Sequence, residues 1–175
     1  MRQYEHDVSS AVAQLVFEQA CGERARALSL GYVDLRYQVP DRTRDGDRTD
    51  GSGWFPGVLS AAGAVAARCA GLFDPFELLG RPSRISGPAG CAALLLADAV
   101  KEIKEPLCLA WSANQLALVE TGVLMPARIV WLAGRGDFSA FYPTAGVISW
   151  PDGSQIAFSI SRYERKRAQQ SHGHR

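Results

Sequence analysis

Apolar side chains recur at helical spacing through much of the first 105 residues and at a period of two through most of the last third of the chain. Residues 8–28 predict a first helix. Ser9 or Ser10 can cap its start by accepting a free backbone N–H, and Val12, Leu15, Val16, Ala20 and Ala27 fall on one candidate buried face. Gly31 is read as the stop. Residues 32–39 alternate, with Val33, Leu35, Tyr37 and Val39 against Asp34, Arg36 and Gln38, which predicts a half-buried strand ended by Pro40. Residues 41–53, DRTRDGDRTDGSG, carry no sizeable apolar side chain and predict a solvated, mobile loop. Residues 56–72 predict a small-residue helix, and residues 73–79 one more helical turn with Asp74 as cap and Pro75 at its first position. Residues 81–90, RPSRISGPAG, form a breaker-rich connection. A third long helix is expected over 89–105, with Leu94, Leu95, Ala99 and Ile103 inward and Asp98, Lys101, Glu102 and Lys104 toward water.

After Pro106 the alternation takes over. Strands are expected at 107–111, 115–120, 128–133, 138–142, 147–150 and 155–161. Ser112-Ala113-Asn114 makes a tight turn, and Pro151-Asp152-Gly153 joins the last two strands, with Pro suited to the first central turn position and Gly to a positive φ. The expected fold is therefore α+β: a mainly helical region over 1–105, with one strand (32–39) and a mobile loop (41–53), packed on an antiparallel β unit over 106–162. A charged flexible tail over 163–175 follows, able to start as a short helix.

The stretches LCLAWSANQLALVETG, PARIVWLAGRGDFSAF and GVISWPDGSQIAFSIS, over about residues 106–162, resemble the strand pattern of bacterial pleckstrin-homology-like domains: hairpin, single strand, final hairpin. The resemblance implies a small PH-like barrel and a binding or scaffold role. It does not imply phosphoinositide binding, because residues 107–120 hold no Lys or Arg where lipid-binding members carry a basic pair.

Composition narrows the choice. A formal net charge of +1 removes the whole-chain argument for a nucleic-acid or membrane-surface protein. Residues 57–73 are the most membrane-like segment, but they are rich in Ala and Gly and contain Arg68, so a buried helix is expected and no transmembrane segment. The polar start, Met1 to Asp7, lacks the order of a secretory signal, and Cys21, Cys69, Cys91 and Cys108 form no CxxC pair; together these lead us to expect a cytoplasmic protein with small buried thiols.

Catalytic and metal constellations are sparse. The aspartates of 45–50 miss the calcium-loop pattern, with Asp50 and Pro56 where Gly and Glu are needed. His6, His172 and His174 lie near the ends, and a Cys–His pair would have to recruit one of them. No catalytic residue, metal site or cofactor is expected. Arg135-Gly136-Asp137 reads as a turn, and the basic tail as a solubilising end.

Two binding features remain. Ser86, Gly87 and Gly90 precede a helix and, with Arg81 and Arg84, could hold an anion such as a phosphate-containing small molecule. Trp111, Trp131, Phe138, Phe141, Tyr142 and Trp150 crowd one short span and could form an apolar interface for a protein partner or a second copy. The primary expectation is a non-enzymatic binding or scaffold protein using these aromatics; the alternative is a small-molecule binding protein or small enzyme using 81–90.

Overall fold

The computed structural model describes residues 2–49, 82–122 and 126–170. The helix expected over 56–72, the turn over 73–79, Arg81 and Cys69 lie outside the described residues. The chain is α+β, with the order α1 (Arg2–Cys21), β1 (Arg26–Gly31), β2 (Leu35–Gln38), β3 (Ser83–Ser86), α2 (Ala93–Lys101), β4 (Leu107–Trp111), β5 (Gln115–Glu120), β6 (Arg128–Gly134), β7 (Ala140–Tyr142), β8 (Val147–Ser149), β9 (Gln155–Ala157) and α3 (Arg162–Gln170).

The strands form two open sheets rather than a closed barrel. The first runs β1-β4-β5-β6, antiparallel throughout; the second runs β2-β3-β9-β8-β7, antiparallel except for the parallel β2–β3 pair. Among the described residues neither sheet closes into the barrel that the resemblance implies, and both contribute to one hydrophobic core. Leu28, Leu107, Leu109, Leu116 and Leu118 enter that core from the first sheet, and Tyr37, Ile85, Ile148 and Ile156 from the second. On the second sheet Tyr37 pairs with Ile85, Ile85 with Ile156, Ile156 with Ile148 and Ile148 with Phe141, so one apolar row crosses all five strands. A slip of one residue in any of these strands would turn its member of the row to the other face.

Strands β4 and β5 are buried on both faces. Their alternate residues Cys108, Ala110, Ala117 and Val119 meet Ala13 and Phe17 of α1. Small residues on that side let the helix approach closely. The face of α1 that docks is therefore not the one expected: Ala13 and Phe17 are buried, whereas Val12 and Leu15 are turned to solvent, Leu15 at 59% exposure. The helix also ends earlier than 28. Gly22 takes a φ of +70° and donates its N–H to Glu18 O, so residues 26–31 are free to become an edge strand.

Helix α2 is shorter than the expected 89–105 and rotated from its expected face. Leu94, Leu96, Ala97 and Val100 are buried, and Leu95 is 77% exposed. Residues 83–86, expected as a connection, form β3, because Ser83 and Ile85 point inward while Arg84 stays out. The part of the expected mobile loop that is described, 41–49, is tied down. The guanidinium of Arg42 donates to Gly46 O at 2.9 Å and to Asp98 Oδ2 at 2.7 Å. The tail begins as helix α3, in which Glu164 and Ala168 are buried.

Candidate functional site

The turns at one end of the two sheets build a cleft. Strand β4 ends at Trp111, and the 112–114 turn follows. Ser112 N–H donates to Gln115 O at 2.9 Å, while Ser112 Oγ accepts the N–H groups of Asn114 and Gln115 at 3.2 and 3.1 Å. The turn after β6 is fixed by Asp137: its N–H donates to Gly134 O at 3.0 Å, and its Oδ2 accepts the Gly134 N–H at 2.7 Å. Asp137 thus caps backward onto the strand it follows. Both turns satisfy their own polar groups locally, which is how a short loop holds its shape against water.

Between them lies a cavity of about 150 Å³ whose walls include Trp111, Gln115, Arg135, Phe138 and Phe141. Trp111 from the first sheet meets Phe141 from the second edge to face, centroids 5.5 Å apart at 70°. This arrangement sets the positive ring edge against the negative ring face. The Arg135 guanidinium lies over the Phe138 ring, 5.3 Å from its centroid. A cation over an aromatic face is attracted by the ring quadrupole and held in one orientation. Among the described residues Arg135 makes no ion pair. Gln115 Oε1 is buried and has no hydrogen-bond partner.

Of the six aromatics singled out in the sequence, the structure brings three together here: Trp111, Phe138 and Phe141. Trp150 is buried in the core, Trp131 packs against that core from β6, and Tyr142, 56% exposed, alternates to the other side of its strand from Phe141. The six therefore do not make one continuous apolar face. Sequence reasoning missed Arg135 and Gln115. In the sequence Arg135 lies in a turn tripeptide and Gln115 at the start of an expected strand, and neither position carries a local signal of binding.

The expected anion loop is arranged differently. Arg84 and Ser86 stand two apart on the outward side of β3. Gly87 sits so tightly against Ser154 and Cys91 that an added Cβ would lie 2.6 Å from Ser154 Cβ and 2.9 Å from Cys91 Sγ. The helix start already has its acceptors: Gly90 N–H donates to Asp41 Oδ2 at 3.3 Å, Ala92 N–H to Asp152 Oδ2 at 2.7 Å and Ala93 N–H to Ser154 Oγ at 3.2 Å. The negative group at the N-terminus of α2 is the protein's own carboxylate. The Ala92 backbone bond and the bonds from Ser154 hold Asp152 below the usual carboxylate range.

A second cavity, about 180 Å³, is lined by Val33, Leu35, Tyr37, Asp34, Asp45 and Lys101. Its charges are mutually engaged: Arg36 pairs with Asp34 and Asp45, and Lys101 Nζ with Asp47 at 2.8 Å. The buried Tyr37 hydroxyl has no hydrogen-bond partner, and burial, followed by the charge of Asp98, pushes its pKa up. Burial also pushes the Cys108 thiol up to about 11, which keeps it protonated and a poor nucleophile. Among the described residues no group of three or more His, Cys, Asp or Glu side chains could hold a metal ion, and no helix is long and apolar enough to cross a membrane.

Compared with family models, with curated proteins and with solved structures, the chain matches none of them.

Proposed function

We propose that this protein is a non-enzymatic binding protein and that its recognition site is the cleft walled by Trp111, Phe138 and Phe141, which receives one planar ring. The observation that carries this reading is the match of size and lining. The cleft is half open to solvent, has a volume of about 150 Å³, the scale of a cavity that accommodates a benzene ring, and sets three aromatic side chains beside polar ones in its walls. The volume is below that of typical drug-sized sites, roughly 300–1,000 Å³, so the occupant is a single ring and not a fused, extended ligand. The six-residue aromatic interface suggested by the sequence narrows in this reading to a three-residue pocket. The second cavity is the weaker candidate because its charged groups already satisfy one another.

The test is a titration of the protein with the neutral probe benzamide, followed by two-dimensional NMR. Saturable shifts clustered on the Trp111 indole and on the backbone of residues 135–141, lost in Trp111→Ala, are the expected outcome. Benzamide that gives no saturable shift, or shifts spread evenly over the surface, would overturn the reading.

A further inference from the structure

We infer that the ring taken by this cleft carries a carboxylate, and that Arg135 is the residue that reads it. The inference rests on the preceding reading of the cleft and adds the chemical class of the ligand, a monocyclic aryl carboxylate.

The argument starts from the state of Arg135. A guanidinium presents five N–H donors in a planar fork that matches a carboxylate in two parallel bonds. Arg36 is placed on Asp34 and Asp45, Arg42 on Asp98, Arg128 on Glu120 and Arg167 on Asp7, while Arg84, Arg162 and Arg165, like Arg135, show no ion pair among the described residues; what sets Arg135 apart is its place on the cavity wall. Arg135 lines the cavity and has no acidic partner among the described residues. It follows Gly134 in the β6–β7 turn, beside Asp137, yet the Asp137 carboxylate is turned to the Gly134 N–H instead. Its guanidinium lies over the Phe138 ring, and its backbone N–H donates to Asn114 O at 2.7 Å across the mouth. A stacked guanidinium keeps its edge donors available, because the ring occupies only its face.

The aromatic walls and the cation therefore offer two different things to one ligand. Trp111, Phe138 and Phe141 offer area for a ring, and Arg135 offers an oriented fork at the rim. Gln115 lines the same cavity, but its Oε1 is sealed beneath the surface, so the polar contact offered to a ligand is that of Arg135. Benzoate is the simplest ring with a carboxylate for it. Truncation of a site built to pair with a ligand group leaves that site's own polar atoms unpaired, which is why such sites reject analogues lacking the group.

The experiment compares benzoate, 4-aminobenzoate and benzamide on the full chain by NMR titration at low ionic strength, with the wild type and Arg135→Gln. Arg135→Gln keeps a polar side chain at an exposed turn position, so the fold is retained, and retention is checked by the unchanged spectrum away from the cleft. Benzoate is expected to bind about 10-fold more tightly than benzamide, the size of one charge-assisted hydrogen-bond contact. 4-Aminobenzoate is expected to bind about as tightly as benzoate, and Arg135→Gln to reduce the benzoate-to-benzamide ratio to about one. Equal binding of benzoate and benzamide, or a ratio that survives in Arg135→Gln, overturns the carboxylate inference while leaving the cleft as a ring site. No saturable binding of any of the three overturns both.

Discussion

The Asp152 carboxylate accepts the backbone N–H of Ala92 at 2.7 Å across 60 positions of sequence. One residue of the β8–β9 turn thereby caps a helix far from it in sequence. The turn is built for it. Gly153 N–H donates to Trp150 O at 3.1 Å, Gly153 takes a φ of +82°, and Asp152 Oδ1 accepts from both the N–H and the hydroxyl of Ser154. Ser154 in turn accepts the N–H of Ala93. The pair replaces the side-chain cap that Ala92, at the N-cap of α2, cannot provide.

Loss of that cap is expected to cost about 1 kcal/mol in Asp152→Ala, the usual worth of a capping side chain, and less in Asp152→Asn, which keeps an acceptor. The pH dependence has a definite sign. The folded-state pKa is lowered, so near and below the ordinary value of 3.8 the unfolded chain binds more protons than the folded one. The contribution of the charge is whole above that value and drains away as pH falls through the lowered folded pKa. Urea titrations of the wild type and Asp152→Asn should show a stability gap that narrows between pH 6 and pH 3; a gap independent of pH would refute the assignment.

Much of this was legible in the residues, and the parts that were not share a cause. The six C-terminal strands, the last of them stopping at 157 and not 161, and the turns at 112–114 and 151–153 follow from local alternation and turn chemistry. The docking face of α1 did not, because helix 2–21 carries two apolar stripes and only the partner decides between them. Phe17 fits the small-residue face made by Ala110 and Ala117, so the Val12–Leu15 stripe is left outside. Strand β3 was hidden because its partners, β2 and β9, are distant in sequence. In the cleft, the aromatic residues were legible as a cluster in sequence. The separation of Trp111, Phe138 and Phe141 from Trp150 and Tyr142 depends on which strand face each occupies.

The loop at 41–49 offers a test of order where composition suggested none. Arg42, whose side chain is only 10% exposed, holds Gly46 O and Asp98 together, and Thr43 N–H, Asp47 N–H and Thr49 N–H donate to Asp47 O, Thr43 Oγ1 and Asp41 O. Hydrogen exchange should find these three amides protected in the wild type. In Arg42→Met they should exchange at least about 10-fold faster, with a global loss of roughly 2 kcal/mol, moderate because Asp98 can regain water once its partner is gone. Unchanged exchange at Thr43 and Asp47 would show that Arg42 does not organise the loop.

Two glycines with positive φ should respond unequally to Ala. Gly46 has a φ of +90°, and a Cβ there would lie 2.5 Å from Cε2 of the Tyr37 ring; Gly90 has a φ of +65° with nothing within 4 Å. Gly90→Ala carries backbone strain alone, about 1 kcal/mol. Gly46→Ala adds a collision with a buried ring, and roughly 3 kcal/mol or more is expected in total. Comparable losses in chemical denaturation would contradict the close contact of Gly46 with Tyr37.

The last prediction concerns the two ends of the described chain. Tyr163 Oη donates to Asp7 Oδ1 at 3.0 Å, and Arg167 reaches the same carboxylate at 3.1 Å. These contacts are partly solvated, so Asp7→Ala should cost no more than about 1 kcal/mol, a fall in Tm of roughly 2–4 °C. The underside of α3 matters more. Glu164 is fully buried, and both it and Arg167 act electrostatically on Cys108, the thiol that burial pushes up to about 11. Cys108 is packed under α1 and lies within electrostatic reach of α3. In a Cys69→Ser background, a disulfide reagent at pH 8 should label half-buried Cys21 first and leave Cys91 and Cys108 for the unfolded chain. Removing residues 162–175, with folding verified by circular dichroism, should bring Cys108 into the native-state reaction while Cys91 stays protected. If Cys108 remains as slow in the truncated protein as in the full chain, α3 is not what seals it.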